Sequence, residues 1–156
     1  MAEEIRQPKK SFDDYFSLIM QIVAICMSVF QICTAFIGAL PTMEQRSAHL
    51  GFALILVFMQ SFLKDKNVVK RIISSAFIIV SLVSSLYAFF GWVGMNGRVA
   101  FPNTMDLACA AMLTIAILEA NRRKLGNVLP ALGLIFILYA RFGNYLPKAI
   151  SHRGYS

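Results

Sequence analysis

The stretch YFSLIMQIVAICMSVFQICTAFIGAL, Tyr15–Leu40, carries no charged side chain from end to end. A hydrocarbon core about 30 Å thick takes about 20 helical residues to cross, so this run is long enough to span a bilayer. Ser11 with Asp14 three positions on is a helix-start pattern, and Pro41 stops the run. Inside a bilayer each backbone N–H and C=O must be satisfied by the segment itself, which an α-helix does. The first run is therefore read as a transmembrane helix.

Composition extends that reading to the whole chain. Of its residues 58% are apolar, thirteen are phenylalanine and only 15% are charged, more apolar than a water-soluble domain needs. The leader MAEEIRQPKKSFDD is polar, and the apolar run after it is too long for a cleavable signal segment, so the first run is expected to stay as an anchor. Cys26, Cys33 and Cys109 lie inside apolar runs at no metal-ligand or redox spacing and read as packing thiols. The formal charge of +7 comes from short clusters beside apolar blocks, a pattern of membrane topology that gives no reason to expect nucleic acid.

Further runs follow. The second starts after Pro41, where Thr42 and Gln45 form a capping-box pattern, with Arg46 and His49 near the interface. The third ends near Trp92, a ring suited to headgroup depth; the fourth opens at Asn103 or Thr104 and closes on EANRRKLG, with Gly126 as its stop. The fifth, Asn127 to Leu146, holds Pro130 in its first turn, where proline is tolerated, and is interrupted near its end by Arg141. Residues 1–156 thus read as one integral membrane domain, an all-α polytopic bundle of four to five spans: a leader at 1–14, spans at about 15–40, 43–63, 71–94, 104–121 and 127–146, and a tail at 147–156.

Orientation follows from the bases. Arg6, Lys9 and Lys10 precede the first run; Lys64, Lys66, Lys70 and Arg71 lie between the second and third; Arg122, Arg123 and Lys124 lie between the fourth and fifth. Arg46 and Arg98 stand alone in the alternate loops, and Arg141, Lys148 and Arg153 follow. The excess in the first set places the N-terminus in the cytoplasm.

Small and polar side chains mark where helices meet, because lipid gives Leu no preference for a neighbouring helix. On the first run Ser17, Gln21, Ala24, Ser28, Gln31, Ala35 and Gly38 recur at steps of four and three, a stripe expected to face protein. Ser74, Ser81, Ser85 and Ala88 repeat the pattern on the third run, and the fourth is dense in alanine. For catalysis there is little: Glu44, Asp65 and Asp106 lie at ends or in loops, and no phosphate-cradling glycine loop or nucleophile elbow is present. No enzymatic activity and no cofactor are expected. His49 reads as an interfacial hydrogen-bonding group, Gln21 and Gln31 as interhelical ones. Glu119 with Arg122 and Arg123 at i+3 and i+4 reads either as an ion pair setting helix depth or as a contact to a partner subunit or an anionic lipid.

Over Leu40–Ser156 the segments PTMEQRSAHLGFALILVF, EANRRKLGNVLPALGLIFILYARFGNYLP and SHRGYS resemble the N-terminal part of the permeases of TAXI-type tripartite ATP-independent periplasmic (TRAP) transporters. The motifs are Arg46 and His49 in QRSAHL, the series Glu119, Arg122 and Arg123, the run YARFGNYLP, and His152, Arg153 and Gly154. The residues before Leu40 match only as a generic anchor. In that family a four-span small part precedes a large part that holds the transport site, often in one polypeptide with the HRGYS-like segment internal. The resemblance implies a split layout, with this chain as the small subunit and the fifth run either a full span or a linking helix kept from the fused form. It implies a non-catalytic scaffold for a large elevator-type permease subunit in a bacterial or archaeal inner membrane. There, sodium would drive uptake of an organic carboxylate delivered by a periplasmic binding protein. Sodium and substrate are expected in the large subunit, none in this chain, and Arg98 is the candidate contact to the binding protein. The alternative is a self-contained homo-oligomeric transporter or channel lined by Gln21, Ser28 and Gln31.

Overall fold

Residues 11–38, 40–97 and 101–145 are described by a computed structural model of the chain. Their regular structure is entirely helical: α1 (Phe12–Ile37), α2 (Thr42–Lys64), α3 (Val68–Asn96), α4 (Thr104–Leu125) and α5 (Val128–Phe142), closed by a 3₁₀ turn at Gly143–Tyr145. Four of these, α1 to α4, are long and apolar enough to cross a membrane. The fifth has 15 residues and rises about 22 Å, short of a hydrocarbon core about 30 Å thick.

Local chemistry sets the ends. Asp14 accepts a hydrogen bond from the Ser11 amide at 2.7 Å to open α1, and Asp106 accepts from the Asn103 amide at 2.9 Å to open α4. Gly126, at φ +83°, adopts the left-handed backbone that ends α4. The capping box expected at Thr42 and Gln45 is not what forms. Pro41 occupies the cap position with its extended backbone, Thr42 is already the first helical residue, and the Gln45 amide bonds to the Pro41 carbonyl at 3.1 Å.

The helices run up and down, with α2 at the centre against α1, α3 and α4; among the described helices α5 packs on α4 alone. The closest seam is α2 against α3. A Cβ on Gly51 would lie 2.5 Å from Ser85 Oγ, so the absence of a side chain there is what lets the two backbones meet. Ser74, Ser81, Ser84 and Ser85 are buried along the same face of α3. Below this seam Leu54 and Phe58 of α2 pack with Ala116 and Ala120 of α4 to form the core. Leucine, isoleucine and phenylalanine cover the outside, as on Ile79, Phe90, Ile115 and Phe136, which suits a surface facing lipid.

The packing of α1 differs from the expectation. Its contact face is built from Phe16, Met20, Met27, Phe30 and Thr34, about 90° around the helix from the small and polar stripe. Ser17, Ala24 and Gln31 lie at the edge of the α2 seam, half-buried, whereas Gln21, Ser28, Ala35 and Gly38 are exposed. Cys26 and Cys33 are exposed, on the side of α1 opposite that stripe.

Candidate functional site

Two polar centres sit at opposite ends of the bundle. At the end where α1 finishes and α2 begins, Gln31 Nε2 donates to His49 Nδ1 and ties the two helices together. Arg46, one turn earlier on α2, is exposed and lines a cleft of about 450 Å³ with Gln31, Leu40, Thr42, Gln45 and His49. The sequence placed Arg46 and His49 at an interface; the structure brings them into one cleft with Gln31. Nearby, Tyr87 Oη donates to Asp106 Oδ1 at 2.5 Å and ties α3 to the start of α4.

The other end is more heavily built. Ala116, Ala120 and Arg123 share one face of α4, and the two alanines let that helix approach α2 and α3 closely enough for Arg123 to reach across. Arg123 Nε donates to Glu119 Oε1 at 2.6 Å, and Nη1 donates to Ser74 Oγ of α3 at 2.7 Å. Its guanidinium lies 5.3 Å from the ring centre of Phe58 and 5.7 Å from that of Phe77, two rings stacked at 4.8 Å between α2 and α3. Arg122 engages the same carboxylate with two hydrogen bonds, Nε to Oε2 at 2.7 Å and Nη2 to Oε1 at 2.8 Å. Glu119 and Arg123 are only 16% and 15% exposed and Arg122 is 56% exposed, so one acid holds one base inward and one outward.

A second arginine closes the same end. Arg71 of α3 pairs with Asp13 of α1, donates from Nε to the Phe62 carbonyl at 3.3 Å, and stacks 4.4 Å over the Phe62 ring. Lys124 donates to Gln60 of α2. Between these ties lies a cleft of about 470 Å³ lined by Ser61, Lys64, Asp65, Lys70, Ile73, Glu119, Arg122 and Arg123. Sequence spacing pointed to Glu119, Arg122 and Arg123 as a group. It marked Ser74 only as a helix-packing residue, and it gave no signal that Ser74, Phe58 and Phe77 join this group from other helices, or for the Asp13–Arg71 pair.

Arg98, His152, Arg153 and Gly154 lie outside the described residues. Among the described residues no three of His, Cys, Asp and Glu come together as a metal-binding group would. Fold and sites together define a polytopic α-helical membrane protein with an arginine clamp at one end and a histidine-glutamine pair at the other. Compared with models of known protein families, with curated proteins and with solved structures, the chain matches none.

Proposed function

We propose that the chain is the small, non-catalytic membrane part of a TAXI-type TRAP secondary transporter. On this reading it braces a large elevator-type permease subunit that takes up a carboxylate with sodium from a periplasmic binding protein, in a bacterial or archaeal inner membrane. The observation that carries the reading is the open flank of α1. Gln21 is exposed, its amide has no hydrogen bond among the described residues, and it borders a cleft with Met20, Ala24, Leu56, Val57, Gln60 and Lys124. A primary amide facing hydrocarbon is costly, and a helix from another subunit would satisfy it. Ser28, Ala35 and Gly38 extend the same flank with side chains small enough for close helix approach. The motif resemblance supplies the identity of the partner: a large permease subunit. The arginine clamp fits a rigid brace, since it ties α2, α3 and α4 together and places no substrate group at mid-membrane.

The channel alternative asks Gln21, Ser28 and Gln31 to line a pore. Gln31 Nε2 is engaged by His49, and Ser28 Oγ donates to the Ala24 carbonyl at 3.0 Å, which leaves Gln21 as the member of the three whose side chain makes no hydrogen bond among the described residues. Purification in mild detergent tests the proposal. A large multi-span permease should co-purify, and Gln21→Leu with Ser28→Leu should reduce its recovery while the chain remains inserted. A homo-oligomer that conducts, recovered with no such partner and silenced by the same substitutions, would establish the channel instead.

A further inference from the structure

We propose that the cleft between the ends of α2, α3 and α4 is a binding site for the headgroup of an anionic glycerophospholipid. Four bases and two acids line it, and the acids are unequally free. Glu119 is committed to Arg122 and Arg123 through three hydrogen bonds, and Arg123 is committed further to Ser74 and two rings. Lys64 and Lys70 are exposed, and neither has an ion-pair partner among the described residues. Arg122 keeps its outer N–H groups open to the cleft mouth, and Ser61 adds a hydroxyl whose proton bonds to the Val57 carbonyl, leaving its oxygen as an acceptor. Asp65 offsets one positive charge, and the balance remains cationic.

The position of the cleft decides between occupants. It lies where α2 ends at Lys64, α3 begins at Val68 and α4 ends at Leu125, which is headgroup depth for helices that span the bilayer. Ile73 lines it and is 42% exposed, and Ile72 beside it is 62% exposed, so the cleft opens on one side to the acyl region. Its occupant meets exposed bases at one level and an apolar wall one helical turn deeper. A phosphodiester joined to acyl chains matches both; a free phosphate ester matches only the first. A guanidinium and two ammonium groups around one phosphate is the arrangement that recognises such a headgroup. On the N-in orientation this is a lipid of the cytoplasmic leaflet.

The test is native mass spectrometry of the full chain released from micelles containing equal amounts of phosphatidylglycerol and phosphatidylcholine. The wild type should retain phosphatidylglycerol preferentially. The preference should fall about fivefold for each lysine removed in Lys64→Gln and Lys70→Gln, while Arg141→Gln, in the last turn of α5, leaves it unchanged. Circular dichroism checks that the variants are folded; if the double variant is not, Lys70→Gln alone and a salt titration of the wild type replace it. Three results would overturn the proposal: a wild type without preference, folded lysine variants that keep it, or soluble glycerol phosphate displacing the lipid at equal concentration. A wild type that ignores phosphatidylglycerol but loses a co-purifying membrane protein on the same substitutions assigns the cleft to a protein acid instead, and also overturns it.

Discussion

Arg123 shows how much one side chain does in a bundle whose other contacts are mostly apolar. It joins Glu119 on its own helix to Ser74 on α3 and lies against the Phe58–Phe77 stack between α2 and α3. An exposed i,i+4 ion pair contributes only about 0.3–0.5 kcal/mol. Without Arg123 the Glu119 carboxylate keeps Arg122, so what is lost is the charge-assisted hydrogen bonding to Glu119 and Ser74 and the ring contacts, about 2 kcal/mol. Arg123→Ala should therefore destabilise the chain by about 2 kcal/mol in thermal unfolding in detergent. Arg123→Lys should restore only part of that, since a single ammonium cannot serve Glu119, Ser74 and two ring faces at once. Exchanging Glu119 and Arg123 would keep the pair yet place a carboxylate against Ser74 and the negative faces of the rings. The exchanged protein should melt close to the Arg123→Ala protein; wild-type stability would mean that only the pair matters.

At the scale of helices, two features set the arrangement. Gly51 lets α2 meet α3, and an added Cβ would lie 2.8 Å from Ser85 Cβ as well as 2.5 Å from its hydroxyl. Overpacking such a seam costs about 1–3 kcal/mol, so Gly51→Ala should lower the unfolding temperature, and adding Ser85→Gly should recover most of the loss. The second feature is the placement of α5, which among the described helices rests only on α4, with Gly133 under the Leu118 side chain. Truncation after Gly126 should leave α1 to α4 folded with the Arg123 clamp intact, read as retained helicity and a melting point that still falls on Arg123→Ala; collapse of the bundle would contradict this packing.

Helix identity was legible in the sequence because an apolar run of span length between Pro, Gly and Asp signals needs only the chain itself. The face each helix turns to its neighbours was legible where small residues set the approach, as with Ser74, Ser81 and Ser85 on α3. It was not legible on α1, where Phe16, Met20, Met27 and Phe30 make the seam by shape and volume, which carry no distinctive pattern in a run that is apolar all round. Of the clamp, the Glu119–Arg122–Arg123 portion follows from helical spacing. Ser74 and Asp13 come from residues far along the chain, and they meet their arginines only once the α2–α3 seam has fixed the geometry.

As a whole the chain is a braced helical bundle with an apolar exterior, one open polar flank on α1 and charged clefts at its two ends. Orientation belongs here: with the native cysteines replaced, Lys66→Cys should react with a membrane-impermeant maleimide only after permeabilisation, and Arg98→Cys in intact cells; the reverse pattern would invert the topology. On the proposed function the chain supports transport without performing it, and the test is uptake of a labelled organic carboxylate into proteoliposomes under an inward sodium gradient. The chain alone should give no uptake above empty vesicles, and uptake should require the large permease subunit together with the binding protein. Sodium-driven uptake by the chain alone would overturn the proposed function.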